Sequence, residues 1–169
     1  GGPPPLNNPP VINLDNPSVV ATAAEGQAAT VVTGTFGDPD NNPVTLKPSV
    51  GTVQTSGNTW TWSYMPPDGP ISQTVTITAQ DSKGAFATIP ASFGLNVTNV
   101  APTAIFAAQP ASTFPNNAVS LTFTNPVDVA ADLASLTYTV DCGNGGIVQT
   151  AAPFSCAYAG EGSYTALGT

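Results

Sequence analysis

Hydrophobic and polar positions alternate along this chain in short blocks, and turn-forming residues separate the blocks at regular spacing. The clearest block is Thr59-Trp60-Thr61-Trp62-Ser63-Tyr64, which puts Trp60, Trp62 and Tyr64 on one face and Thr59, Thr61 and Ser63 on the other. Ala28 to Phe36, Val44 to Lys47 and Val50 to Thr55 precede it. Thr74 to Ala79 follows, with Val75, Ile77 and Ala79 inward, and then Ala85 to Val97, with Phe93, Leu95 and Val97 on one parity. The separators are Gly37-Asp38-Pro39-Asp40-Asn41-Asn42-Pro43, Ser56-Gly57-Asn58, Met65-Pro66-Pro67-Asp68-Gly69-Pro70 and Asp81-Ser82-Lys83-Gly84, all rich in residues that favour turns for local reasons. No segment of helical length carries a 3.6-residue period. Short strands at this spacing predict a β-sandwich over residues 11–99.

The pattern then restarts. Asn99-Val100-Ala101-Pro102-Thr103 echoes Asn8-Pro9-Pro10-Val11 as a proline-bearing joint ahead of a new strand. Ala104 to Ala107, Val119 to Phe123, Leu136 to Cys142, Ile147 to Thr150, Phe154 to Tyr158 and Ser163 to Leu167 form a second strand set. The expected fold class is therefore all-β, as two tandem immunoglobulin-like antiparallel sandwiches. Residues 1–10 form an extended proline-rich lead-in. The second unit, 100–169, is short against the roughly 100 residues such a sandwich uses, and it is expected to be incomplete by one C-terminal strand.

Composition narrows the function. Two lysines and no arginine or histidine stand against ten acids, a net charge of −8. Nucleic-acid binding needs a basic footprint to displace counterions, and two lysines do not make one. Without histidine, Ser-His-Asp and Cys-His catalysis and His-ligated metal sites are excluded. No apolar run approaches the ~20 residues of a membrane-spanning helix. A hydrophobic fraction of 41% argues against disorder. Scarce Lys and Arg leave trypsin-like proteases little to cut, which suits an extracellular or cell-surface protein. The only two cysteines, Cys142 and Cys156, are read as a disulfide, the alternative being two buried thiols. Tyr138, Val140 and Cys142 share one strand parity, and Phe154, Cys156 and Tyr158 share another, so both sulfurs face one core.

The stretches Glu25-Gly26-Gln27, Phe36 to Leu46, Thr76 to Gly84 and Phe93 to Pro102 make the first unit resemble the cadherin-like and dystroglycan-type Ig-fold repeats of bacterial surface proteins. Asn125-Pro126-Val127-Asp128, Leu136 to Gly145 and Gly162-Ser163-Tyr164-Thr165 make the second resemble a PKD-type module, including a bacterial variant that carries both cysteines. The resemblance implies a non-catalytic structural or adhesive role whose partners are neighbouring domains, identical subunits, or a surface glycan or protein. Cadherin repeats end in an acidic calcium-gripping linker, whereas Asn96 to Pro102 holds no carboxylate.

The candidate metal site is Asp38 with Asp40 and Asn41, joined by Asp81 and Glu25. Calcium takes six to eight oxygens, and a tight loop of carboxylates, amides and carbonyls supplies several. The same residues also read as ordinary turn chemistry. Asp128, Asp132, Asp141 and Asn144 form a second acidic group, read chiefly as solvated loops. Asp38 and Asp40 share one turn rather than flanking a cleft, which argues against a glycosidase pair. Trp60, Trp62 and Tyr64 read as core or, alternatively, as a sugar-stacking face. The Asn96-Val97-Thr98 sequon sits within a predicted strand. The expected function is a structural or adhesive module of an extended surface protein, stabilised by calcium. The alternatives are a filament subunit closed by a donated strand, with Val11-Ile12-Asn13-Leu14 as donor, and a carbohydrate-binding module.

Overall fold

A computed structural model describes residues 2–169. The chain folds as two compact units, one ending at Val100 and the other running from Ala101 to Thr169.

The first unit holds eight strands: β1 (Val11–Leu14), β2 (Val20–Ala24), β3 (Val32–Gly37), β4 (Val44–Pro48), β5 (Thr52–Ser56), β6 (Thr59–Ser63), β7 (Ile71–Asp81) and β8 (Ala91–Thr98). They form two four-stranded sheets, in the orders β1-β3-β6-β5 and β2-β8-β7-β4. This is the immunoglobulin arrangement, with the first strand divided between the sheets. The transfer occurs at Asn16-Pro17-Ser18, where the Asn16 side chain accepts from Ser18 N at 3.0 Å and its carbonyl from Val19 N at 3.1 Å. As a result β2 pairs with β8 in parallel, Val20 opposite Gly94 and Ala24 opposite Thr98, while every other ladder of this unit is antiparallel. Val20–Ala24 carries small residues and no strong apolar alternation, so its pattern marks no strand.

The alternation read from sequence becomes the core. Trp60 and Trp62 are buried on β6, facing Val75, Ile77, Phe93, Leu95 and Val97 from the opposite sheet. Trp62 lies edge-on to Phe93 at 5.0 Å. Both indole N–H groups have partners, Trp60 Nε1 donating to Thr35 O at 3.2 Å and Trp62 Nε1 to Val50 O at 2.7 Å, so the rings enter the core without an unsatisfied donor. Gly34 permits this packing, because a Cβ there would collide with Asn13 O and the Trp60 ring. The predicted strand over 85–97 starts only at Ala91. After the turn at Asp81 the chain pairs briefly with the end of β7, Phe86 bridging Gln80 and Ala87 N donating to Ala79 O at 2.9 Å, but residues 88–90 interrupt the ladder, and Phe86 and Ile89 are exposed.

In the second unit β9 (Thr103–Gln109), β10 (Ala118–Val127) and β12 (Phe154–Ala157) form one sheet, ordered β12-β10-β9; β11 (Val140–Asp141) pairs with β13 (Leu167–Gly168). A single helical turn, α1 (Ala130–Leu133), connects β10 towards β11. The core is Val119, Leu121, Val140, Cys142, Phe154 and Cys156, with Phe106, Phe123, Tyr138 and Tyr158 packed around it. Cys142 and Cys156 are joined as a disulfide. Leu136 to Tyr138 and Ile147 to Thr150 are not strands; Gln149 makes only an isolated bridge to Val140.

Candidate functional site

The predicted metal residues divide between opposite ends of the first unit. Asp38, Asp40 and Asn41 sit in the turn between β3 and β4, and Asp81 closes β7. The ladder places Val44 opposite Asp81, and Ser82 N donates to Pro43 O at 2.9 Å, so these two turns share one end. Glu25 follows β2 and lies at the other end. Its N–H donates to Thr98 O at 3.0 Å, and Gly26 N donates to Pro66 O at 2.8 Å. The reason is topological: β2 runs parallel to β8, so the turn after it falls where β8 finishes.

At the first end the proline-rich lead-in supplies partners that the residue pattern does not announce. Asn7 Nδ2 donates to Asp81 Oδ2 at 2.8 Å, and Asn42 Nδ2 donates to Asn7 Oδ1 at 3.0 Å. Asn8 donates to Asp40 from both its N–H, at 2.6 Å, and its Nδ2, at 3.0 Å. Asp81 Oδ1 accepts from Lys83 N at 2.9 Å and Ala85 N at 2.8 Å, and Asp38 Oδ1 from Asp40 N at 2.8 Å and Asn42 N at 3.0 Å. Asp38 Oδ2 is buried without a partner. Amide donors therefore occupy most of the carboxylate oxygens here, and they fasten residues 7 and 8 across both turns. The one available signal in sequence is an Asn pair held between prolines, whose fixed φ limits where the amides reach.

Burial pushes the Asp81 carboxyl up, but the Asn7 amide and the N–H groups of Ala85, Lys83 and Gly84 outweigh it, and its pKa is lowered. A carboxyl with a lowered folded pKa contributes stability that is fully present above the unfolded value of about 3.9. That contribution is lost as pH falls through the lower folded value. Asp81→Ala is expected to lower the first unit's Tm by several degrees at pH 7 and to shrink that deficit progressively below pH 4. It also speeds amide exchange at Lys83 and Ala85. Melting curves from pH 2 to 7 check this; a deficit independent of pH would show that the carboxylate charge is not what matters.

At the second end Glu25 is 2% exposed. Its Oε1 accepts from Val100 N at 2.8 Å, while Oε2 is buried with no partner. A carboxylate oxygen of Asp68, missed in sequence because it reads as turn chemistry, lies within 4.8 Å of one from Glu25. The other Asp68 role is local, with Oδ1 accepting from its neighbour Gly69 N at 2.8 Å.

The sugar-stacking face is corrected. Trp60 and Trp62 are 1% and 0% exposed, because the alternation points them between the sheets, and only Tyr64 at the edge is half-buried. In the second unit Asp141 Oδ1 accepts from Gly143 N at 2.8 Å and Asn144 Oδ1 from Gly146 N at 3.0 Å, while Asp128 Oδ1 accepts from Val129 N at 2.8 Å. Asp128 and Asp141 serve their own turns, and Asn144 Nδ2 also donates to Ala157 O at 3.3 Å. Val11–Leu14, the predicted strand donor, is instead β1, paired with β3 along its length. Asn96 is exposed on β8 and its Oδ1 accepts from Ser72 Oγ at 2.9 Å.

Fold and packing define an all-β, immunoglobulin-like module. Residues 7–94 match the bacterial Ig domain family, and the chain belongs to it. None of the curated proteins matches the chain. Among solved structures it is similar to dimeric latent PorU from Porphyromonas gingivalis, at 13% identity and a TM-score of 0.30, covering 96% of this chain and 17% of that one. It is also similar to the adhesin InvE from Yersinia pseudotuberculosis, at 19% identity and a TM-score of 0.34, covering 94% of this chain and 49% of that one. No described helix is long and apolar enough to cross a membrane.

Proposed function

We propose that this chain is a non-catalytic structural and adhesive module of an extended extracellular or cell-surface bacterial protein, stabilised by calcium at Glu25. Membership of the bacterial Ig domain family supports the module. The disulfide suits an oxidising compartment. Antiparallel ladders resist extension, and the acidic surface keeps such a protein soluble.

The observation that carries the calcium reading is the buried, partnerless Glu25 Oε2. A buried carboxylate oxygen without donors is costly unless a cation or proton meets it. Two oxygens on one calcium ion, each at about 2.3–2.6 Å, are at most about 5 Å apart, and the Glu25–Asp68 separation fits that limit. Backbone carbonyls and water would complete the shell. Asp38 Oδ2 is likewise buried without a partner, but Asp40 and Asp81 at that end fit an ion less well, because amide N–H groups already fill their oxygens.

With an affinity of about 0.1 mM, ordinary for extracellular modules, 1 mM calcium adds about 1.4 kcal/mol to the first unit. Its Tm is expected to rise by several degrees with calcium and to fall back with chelator. Glu25→Gln removes the response while Asp40→Asn keeps it. A melt indifferent to calcium would remove the metal from this reading. Turnover of a hydrolase substrate, abolished by replacing one acid, would overturn the non-catalytic module itself.

A further inference from the structure

Of the asparagines in the chain, only Asn144 is followed by glycine. The Cγ of an asparagine can be attacked by the main-chain nitrogen of the next residue, and a side chain on that residue crowds the approach. Asn8, Asn16, Asn42 and Asn125 precede proline, whose nitrogen carries no hydrogen. The remaining asparagines precede residues that bear side chains.

The fold presents Asn144 for that attack. It lies in the turn after β11, and Asn144, Gly145 and Gly146 are all exposed to water. Gly145 has a φ of +75°, and nothing lies within 4 Å of the position its Cβ would take. Among the described residues, no group accepts a hydrogen bond from its N–H. The Asn144 side chain is folded forward over this peptide. Its Oδ1 accepts from Gly146 N at 3.0 Å, and a Cβ on Gly146 would lie 2.9 Å from that oxygen. The hydrogen bond closes a ring that contains both Cγ and Gly145 N. It also aims a donor at the oxygen on which negative charge builds as the new bond forms, as an oxyanion-stabilising donor does. The opposing restraint is one bond, from Asn144 Nδ2 to Ala157 O at 3.3 Å.

We infer that Asn144 is a self-modifying site, where the side-chain amide is exchanged for a carboxylate without an enzyme. Gly145 N bonds to Cγ and gives up its proton, the Cγ–Nδ2 bond breaks, and Nδ2 leaves with that proton as ammonia. A cyclic imide then joins residues 144 and 145. Water opens the imide at either carbonyl, giving aspartate or its β-linked isomer, and nothing is oxidised or reduced. The net charge becomes more negative by one. Aspartate at this position still accepts from Gly146 N, but it faces the Ala157 carbonyl with a carboxylate instead of a donor. The β-linked isomer also lengthens the main chain of the turn. Either product unties the turn from the end of β12 and is not reversed, so the second unit carries a record of the chain's age.

The experiment incubates the full chain in heavy-oxygen water at mildly alkaline pH and follows each asparagine by peptide mass mapping. Residue 144 is expected to take up heavy oxygen at least about tenfold faster than any other asparagine, and at no less than about a tenth of the rate in a free peptide of residues 140–148. Asn144→Gln, whose longer side chain would need a larger ring, is expected to leave this position unconverted and the melt unchanged. Conversion of residue 144 no faster than at the other asparagines would overturn the inference. So would a native rate below a tenth of the peptide's, which would mean that the fold shields the site, or equal uptake at residue 144 in the glutamine variant.

Discussion

Trp62→Ala is expected to destabilise the first unit by about 3–5 kcal/mol, the range for removing a buried aromatic residue and leaving its cavity. Trp62 has 0% exposure and sits between β3 and β5, opposite Val32 and Val53 in the ladders. Its ring meets Phe93 from the facing sheet. Truncation removes the body that spaces the two sheets and strands the Val50 carbonyl, which accepts from Nε1. Neighbouring strands are fixed by ladder bonds, so the cavity collapses little. Against a domain stability of about 5–15 kcal/mol, the loss takes a large share and can unfold the unit. Both tryptophans lie in the first unit, so tryptophan fluorescence in urea reports this unit alone, with Trp60 remaining as the probe in the variant. A midpoint within error of the parent would mean the ring is not a core element.

Removing the disulfide by Cys142→Ala with Cys156→Ala is expected to cost the second unit about 3 kcal/mol through loop closure, within the 2–5 kcal/mol seen for small domains. This unit depends on the bridge more than its size suggests. Its buried core is six residues, and two of them are the cysteines themselves. One of its two sheets has two strands of two residues, and small domains bury too little surface to tolerate such a loss. Alanine keeps the buried positions apolar, so the change isolates the crosslink. Three of the four tyrosines, Tyr138, Tyr158 and Tyr164, lie in the second unit, so the loss of most of the tyrosine near-UV circular dichroism follows that unit, and its transition is expected to fall to near or below room temperature. The tryptophan transition of the first unit stays in place. An unmoved tyrosine signal would show that packing alone holds the second unit.

Legibility in the sequence followed the range of the forces involved. Trp60 and Trp62, Val75, Ile77 and Ala79, and Phe93, Leu95 and Val97 were readable as inward faces because strand alternation has a period of two and is set by neighbouring residues. The shared parity that points Cys142 and Cys156 into one core is the same kind of signal. Val20–Ala24 was not readable, since small residues give no contrast and its identity as a strand comes from pairing with β8. The segments around Ile147 and Leu136 have strand composition, but they pair only at single points, Gln149 with Val140 and Thr139 with Thr169, and β-propensity yields to context.

The functional residues show the same division more sharply. That acids and amides gather in turns follows from local hydrogen bonding, and Asp38, Asp40, Asp68 and Asp81 were all marked by it. Which turns meet is decided by the direction in which each strand leaves its sheet. By itself, the sequence determined an all-β chain with aromatic faces inward and no histidine- or arginine-based chemistry. Only the tertiary structure separated Glu25 from Asp38 and Asp81, set Glu25 beside Asp68 with a carboxylate oxygen unpaired, and fastened Asn7 to Asp81. Alternation is a property of adjacent residues, whereas the company a turn keeps is fixed by strand order and by the parallel crossing of β2, which no short window of sequence contains.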